Sequence, residues 1–179
     1  SYYGQQIHEI TEMLVGDMGQ YAHGNQPIQH AIYLYNWLEQ PWKTQMRARE
    51  IMDKLYSSAP DGLCGDEDNG QTSAWYVFSA IGFYPVTPGT GQYAIGSPLF
   101  KNVKLHLQNG NTFELKAPNN SKENIYINAI HKNKLPYTKN YITYKDIMKG
   151  SVFSTEMSFE PNMNLRTEQS SKPYSMSQD

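Results

Sequence analysis

The sequence is short of several things, and each shortage closes a door. One residue in 179, Cys64, is cysteine, so no disulfide can form within the chain. Charged residues make up 18%, the formal net charge is −2, and the 15 Lys and Arg are scattered. That leaves no basic face of the kind nucleic acids require. No apolar run approaches the roughly 20 residues that span a bilayer. The His8-Glu9 pair is followed at the fifth position by Glu12, so the two-histidine metalloprotease pattern is missing. What the chain has in quantity is aromatic surface: 13% of residues, with 14 Tyr and 3 Trp. Such rings stack on the apolar face of a pyranose and also fill cores, so composition alone does not choose. The opening Ser1-Tyr2-Tyr3-Gly4 reads as the interior of a longer polypeptide.

The first half has helical periodicity. Apolar residues at Ile7, Ile10, Met13 and Leu14 predict a helix over 7–15, broken by Gly16 and Gly19. Pro27 suits a first helical turn, and the stripe Ile28, Ala31, Ile32, Leu34, Tyr35, Leu38 predicts a helix over 27–38. Pro41 opens a third, with Trp42, Met46, Ile51, Met52 and Leu55 opposite a charged face. Residues 57–69 read as a loop, and 71–81 as a fourth helix, apolar on most sides and stopped by Gly82. After Tyr84 the pattern shifts to alternation. Strands are expected over 103–108, 112–116, 125–130, 141–144 and 152–159, with Asn109-Gly110 as a hairpin turn and one helical turn over 145–148. Helices followed by strands, without strand–helix alternation, predict an α+β fold. The expected layout is a helical part over 1–84, a β-rich part over 85–165, and a polar tail over 166–179 without order.

Three polar clusters could carry chemistry. In Gly65-Asp66-Glu67-Asp68-Asn69-Gly70-Gln71, three adjacent carboxylates precede a helix. Their mutual repulsion is tolerated where a cation, a helix N-terminus or hydrogen bonds offset it. A solvated capping turn and a general-base site both remain open. An EF-hand does not, because Gly70 stands at the fifth position of the loop and Val77 at the twelfth. In His23-Gly24-Asn25-Gln26-Pro27, amide and imidazole groups gather at a helix start, with Gln29 and His30 one turn in. They can cap the helix, recognise hydroxyls, or offer amide oxygens to Ca²⁺. The third cluster, His8 and Glu9 with Glu12, reads as a solvated helix face.

Taken together, these pieces resemble glycoside hydrolase family 92. The resemblance is carried by His23-Gly24-Asn25-Gln26-Pro27-Ile28-Gln29-His30, then Tyr33-Leu34-Tyr35-Asn36, then Gln40-Pro41-Trp42-Lys43-Thr44-Gln45. It continues through Ala59-Pro60-Asp61-Gly62-Leu63, Gly70-Gln71-Thr72-Ser73-Ala74-Trp75, Gly82-Phe83-Tyr84-Pro85 and Ile95-Gly96-Ser97-Pro98-Leu99-Phe100. Several blocks in one order over about 7–159 are far more specific than any single motif.

That resemblance implies part of an inverting, Ca²⁺-dependent exo-α-mannosidase acting on mannose-containing glycans, with α-1,2 linkages expected. The implied fold is the last helices of an (α/α)6-type barrel followed by an antiparallel β-sheet region. Asp66 and Asp68 match the pair on the general-base side. His8 and Glu9 resemble a pair that contacts the leaving-group mannose. His23, Asn25, Gln26 and His30 are expected near the sugar, and Asn25 and Gln26 near the metal. The general acid is expected upstream of Ser1, in another part of the same polypeptide. The implied location is periplasmic or secreted, with no nucleic-acid partner and no membrane span. One departure stands out. Many members carry Asn-Glu-Pro then Ser-His-His where this chain has Asn25-Gln26-Pro27 then Ile28-Gln29-His30, so Gln26 removes a charge from the pocket. The competing expectation is a sugar-binding or structural module that is inactive without the upstream acid.

Overall fold

The structure is a computed structural model that describes residues 18–178. The helix expected over 7–15, and with it His8 and Glu9, lies outside the described residues.

Two 3-10 segments, Gln26–Ile28 and Ala31–Asn36, lead into helix α1 (Pro41–Lys54) and helix α2 (Gln71–Ile81). A single α-helix over 27–38 does not form, and the cause is visible in where the carbonyls go. In an α-helix the Gln29 carbonyl would take the Tyr33 N–H. Here Trp75 Nε1 donates to it at 3.0 Å, and Tyr33 N turns to His30 O at 2.9 Å. Thr44 Oγ1 donates to Ile32 O at 2.9 Å. Side chains distant in sequence thus take the acceptors that an α-helix needs, and the segment tightens to i→i+3 bonding. The ends of α1 and α2 follow local chemistry. Pro41 occupies the first turn of α1. Gly82 closes α2 at φ 119°, and an added Cβ there would sit 3.2 Å from Pro98.

Eight strands follow: β1 (Phe83–Tyr84), β2 (Gln92–Ile95), β3 (Asn102–His106), β4 (Thr112–Lys116), β5 (Tyr126–Lys132), β6 (Leu135–Pro136), β7 (Tyr141–Thr143) and β8 (Val152–Ser158). Between β7 and β8 lies the short helix α3 (Tyr144–Met148), opened by a capping box of Thr143 and Asp146. Strands β1, β2 and β7 form a small antiparallel sheet. The larger sheet has the order β3-β4-β8-β5-β6. The α+β class holds, but the second sheet is mixed rather than antiparallel, because β8 returns alongside β4 in parallel. Alternation marks which residues are strands; it does not encode which edge a returning strand joins. Two longer α-helices among the described residues do not by themselves close a barrel.

Order extends into the segment expected to be a loose tail. Arg166, Ser171 and Pro173 are buried. Asn140 N donates to Ser171 O at 2.7 Å, and Trp37 Nε1 donates to Tyr174 O at 3.0 Å. Lys172 pairs with Glu39 at 2.9 Å. Composition marks this stretch as unable to build its own core, yet it needs none, since it hydrogen-bonds to a core already built.

Two apolar clusters meet at Phe78. One joins Ile32, Tyr33, Ile51 and Trp75; the other joins Phe83, Phe113, Ile127 and Phe153. Polar clamps tie α1 to the β-rich half. Gln45 Oε1 accepts from Ile127 N at 2.8 Å. One turn on, Arg49 reaches Pro98 O at 2.6 Å, Asn120 Oδ1 at 2.8 Å and Ser121 O at 2.9 Å. Gln45→Met keeps the volume and strands a buried N–H, so the urea midpoint should fall by an equivalent of about 1–3 kcal/mol. An unchanged midpoint would mean that the Gln45 bond adds nothing to the junction beyond packing and the Arg49 contacts.

Candidate active site

The acidic loop is set by the start of α2. Three residues in succession take left-handed backbone angles: Asp68 (φ 48°), Asn69 (φ 57°) and Gly70 (φ 90°). Non-glycine residues rarely adopt such angles, although Asn and Asp tolerate them best. The turn is held because it serves the helix. Gln71 N donates to Asp68 O at 3.2 Å and Thr72 N to Glu67 O at 3.2 Å. Ser73 N donates to Glu67 Oε1 at 3.3 Å, and Ser73 Oγ to Glu67 Oε2 at 2.8 Å. The first-turn amides, which a helix cannot satisfy internally, therefore all find acceptors in the loop. Glu67 does the side-chain capping. Asp68 serves through its backbone only, and Asn69 takes no part. A carboxylate at this end also complements the helix dipole. Asp66 and Asp68 are exposed.

Thr72, fully buried, is the joint between this loop and the His23-Gly24-Asn25-Gln26 segment. Its hydroxyl donates to Asp66 O at 2.9 Å. It accepts from Gln26 Nε2 at 3.2 Å and from Gln29 Nε2 at 3.4 Å. One donor and two acceptor positions are all a hydroxyl has, so its capacity is filled. Gln26 Nε2 also reaches Asp66 O directly at 3.0 Å. Gln29, itself without exposure, donates to His23 O at 3.1 Å and accepts from Gln71 Nε2 at 3.3 Å; Gln71 goes on to Tyr84 Oη at 2.9 Å. The structure thus brings Gln26 against the Asp66 backbone. Asn25 makes no side-chain cap, and His30 is half-buried.

His23 is placed differently from the expectation of a sugar contact. It is 2% exposed and both ring nitrogens are engaged, Nδ1 with Tyr21 Oη at 2.8 Å and Nε2 with Tyr56 Oη at 2.6 Å. Tyr56 Oη donates to Thr72 O at 3.0 Å, which commits its one proton. Nε2 must therefore carry the imidazole proton, and Tyr21 must donate to Nδ1. The ring lies edge-on to Trp75, centroids 4.4 Å apart. Burial pushes its pKa down to about 3 from 6.5, so His23 is a neutral, packed histidine that braces the site from beneath. Burial likewise raises the pKa of Tyr21 and of Tyr56.

On the outer flank of α2, an open cleft of about 400 Å³ is lined by Tyr56, Leu63, Ser73, Tyr76 and Val77. It meets the loop at Ser73, the residue that holds Glu67; neither Asp66 nor Asp68 lines it. A larger cleft of about 680 Å³ lies along α1, between Arg49, Asp53, Leu99 and Lys122, and contains no residue of the acidic loop. Sequence reasoning named Gln29 and Glu67 only as members of their clusters, without the bonds they make, and missed Thr72. A signal for Thr72 existed: Thr72 and Ser79 are polar positions on the buried Trp75 face of a helix otherwise apolar there.

The glycosyl hydrolase family 92 catalytic domain profile matches residues 2–159, and the chain belongs to that family. Similar solved structures include a GH92 inverting mannosidase of Bacteroides thetaiotaomicron, 55% identical with a TM-score of 0.86, aligned over 98% of this chain and 24% of that one. A GH92 α-mannosidase of the same organism is 42% identical with a TM-score of 0.86, over 89% of this chain and 22% of that one. A curated relative from Arthroderma benhamiae, described as an uncharacterized secreted glycosidase, is 29% identical over 140 residues, 76% of this chain and 18% of its own length. The chain thus spans about a quarter or less of the relatives it matches.

Neutral burial of His23 has a consequence in acid. The unfolded chain takes up the proton near pH 6.5 and the folded one only near 3. Stability from this residue is complete above about pH 6.5 and is lost as the pH falls towards about 3, by at most about 1.4 kcal/mol per unit. Urea midpoints measured between pH 7 and 4 should fall less steeply in His23→Gln. Identical slopes would show that His23 is not held neutral.

Proposed function

We propose that the catalytic domain carrying this chain removes terminal α-linked mannose from glycans by single displacement with inversion, with α-1,2 linkages as the preferred substrate. The observation that carries this reading is the acidic loop itself. Two exposed aspartates project from a backbone that Thr72, Gln26 and the first turn of α2 hold fixed, in a chain of glycosyl hydrolase family 92. Preorganised carboxylates within reach of water are what general-base catalysis needs. Asp66 and Asp68 form the base side only. An inverting pair is separated by about 6.5–9.5 Å to admit the water, so the acid comes from another part of the polypeptide, as does closure of the (α/α)6-type barrel. With His23 buried, the sugar-facing groups from this chain are Asn25, Gln26 and His30, together with His8 and Glu9.

The donors fit a hard cation in kind. Gln26 spends its Nε2 on Asp66 O and Thr72 Oγ1, which turns its Oε1 away from them, and the Asn25 amide is not spent on capping. Amide oxygens beside carboxylates are Ca²⁺ ligands. Asn25 and Gln26 would hold the ion, with sugar hydroxyls and oxygens from elsewhere in the domain completing its shell. Bound Ca²⁺ supplies Lewis-acid polarisation of vicinal mannose hydroxyls. Action outside the cytoplasm, in the periplasm or after secretion, accords with the glycan substrate and with the secreted relative.

Asp66→Asn and Asp68→Asn should each be assayed in the complete protein on α-1,2-mannobiose, with the released anomer followed by NMR. The expected outcome is β-mannose as first product, and a fall in kcat of about 10²–10⁴-fold for the base itself, with activity lost to chelator and restored by Ca²⁺. Wild-type kcat in both variants would remove the base assignment.

A further inference from the structure

Gln26 meets the acidic loop through its nitrogen, and the bonds around it fix that orientation. Its Nε2 lies 3.0 Å from Asp66 O and 3.2 Å from Thr72 Oγ1. A carbonyl only accepts, and the one Thr72 proton is already given to the same Asp66 O at 2.9 Å. Both groups therefore present lone pairs to Gln26, and an oxygen in place of the nitrogen would be repelled by each. The Asp66 carbonyl receives two donors, Thr72 Oγ1 and Gln26 Nε2, which fill its two lone pairs. Gln26 is itself held. Its carbonyl accepts from Gln29 N at 3.1 Å, and it opens a 3-10 turn with Pro27. Gln29 runs on to the same Thr72 hydroxyl at 3.4 Å. The amide thus ties a fixed turn to a loop 40 residues away.

We propose that Gln26 is a positioning residue for the base, and that the N–H of its amide, set between the Asp66 carbonyl and the Thr72 hydroxyl, is the feature that counts. The proposal rests on the reading of Asp66 and Asp68 as the base side. A carboxylate at position 26 has the same shape and no proton to give. It would turn from donor into competitor: the Thr72 proton would go to the carboxylate, and the Asp66 carbonyl would lose both of its donors. A methionine of similar length removes only the Gln26 bonds and leaves the Thr72 bond to Asp66 in place. The two roles open to Gln26 therefore predict opposite orders. As an oxygen ligand of Ca²⁺, it is replaced better by glutamate than by methionine. As the donor that aims Asp66, it is replaced better by methionine than by glutamate.

The test compares Gln26→Glu with Gln26→Met in the full-length protein, on an α-1,2-mannoside at saturating Ca²⁺. The expected result is a kcat about tenfold or more below wild type for glutamate, a smaller fall for methionine, and KM little changed in either. Hydrogen exchange in peptides covering 66–73 gives a readout apart from activity. The Gln71 and Thr72 amides bond to Asp68 O and Glu67 O, so a loosened loop exposes them, and their exchange should be fastest in Gln26→Glu. Glutamate at or above methionine in kcat, or wild-type exchange in Gln26→Glu, overturns the proposal. Should Gln26→Glu fail to fold, Gln26→Met decides: faster exchange with lowered kcat supports the proposal, and wild-type exchange overturns it. The base reading fails on a different result, wild-type kcat in both Asp66→Asn and Asp68→Asn, and exchange in the Gln26 variants then decides alone whether the amide holds the loop.

Discussion

The Thr72 hydroxyl is the point on which the candidate site turns. It belongs to helix α2, yet its one proton goes to the Asp66 carbonyl and its lone pairs take the amides of Gln26 and Gln29. The acidic loop and a segment more than 40 residues away are thus fixed to one buried atom. Low local dielectric strengthens such a network and makes any unfilled member expensive. The same helix turn spends its free amides on the loop, so the loop cannot relax without uncapping the helix. The cost of three successive left-handed residues is met by that exchange.

Repulsion within Asp66-Glu67-Asp68 is resolved by division of labour. Glu67 turns back to Ser73 and becomes structural, while the two aspartates stay exposed. The helix that anchors them is braced by the packed rings of Trp75, His23 and Tyr56, the first two buried. The layering is what a catalytic carboxylate requires, since a base must be exposed enough to reach water and anchored well enough to keep its aim. The wider frame repeats the principle. Gln45 and Arg49 join the halves through polar groups whose partners lie in loops and strands 49–82 residues away.

What could be read from the sequence divides along the line between local and remote causes. Pro41, Gly70 and Gly82 act within a few residues, and the ends of α1 and α2 were legible from them. The β3–β4 hairpin was equally plain from alternation around Asn109-Gly110. The placement of the acidic loop against a helix start was legible for the same reason. The 3-10 conformation after Pro27 was not, because it depends on Trp75 and Thr44 taking carbonyls from 46 and 12 residues away. Nor was the parallel return of β8, nor the ordered end of the chain, which is held by Asn140, Trp37 and Glu39. His23 misled because its motif suggests a ligand, and only the surrounding Tyr21, Tyr56 and Trp75 reveal a buried brace. Thr72 looked like one more residue of an apolar helix.

If the Thr72 hydroxyl holds the base, removing the hydroxyl should cost chemistry more than binding. The most direct measurement is kcat and KM of the complete protein on an α-1,2-mannoside for Thr72→Val beside Thr72→Ser. The expected result is a fall in kcat of about tenfold or more for valine, with serine close to wild type and KM little changed. Wild-type kcat in a folded Thr72→Val protein would contradict the account, because the loop would then keep its aim without the contact said to fix it.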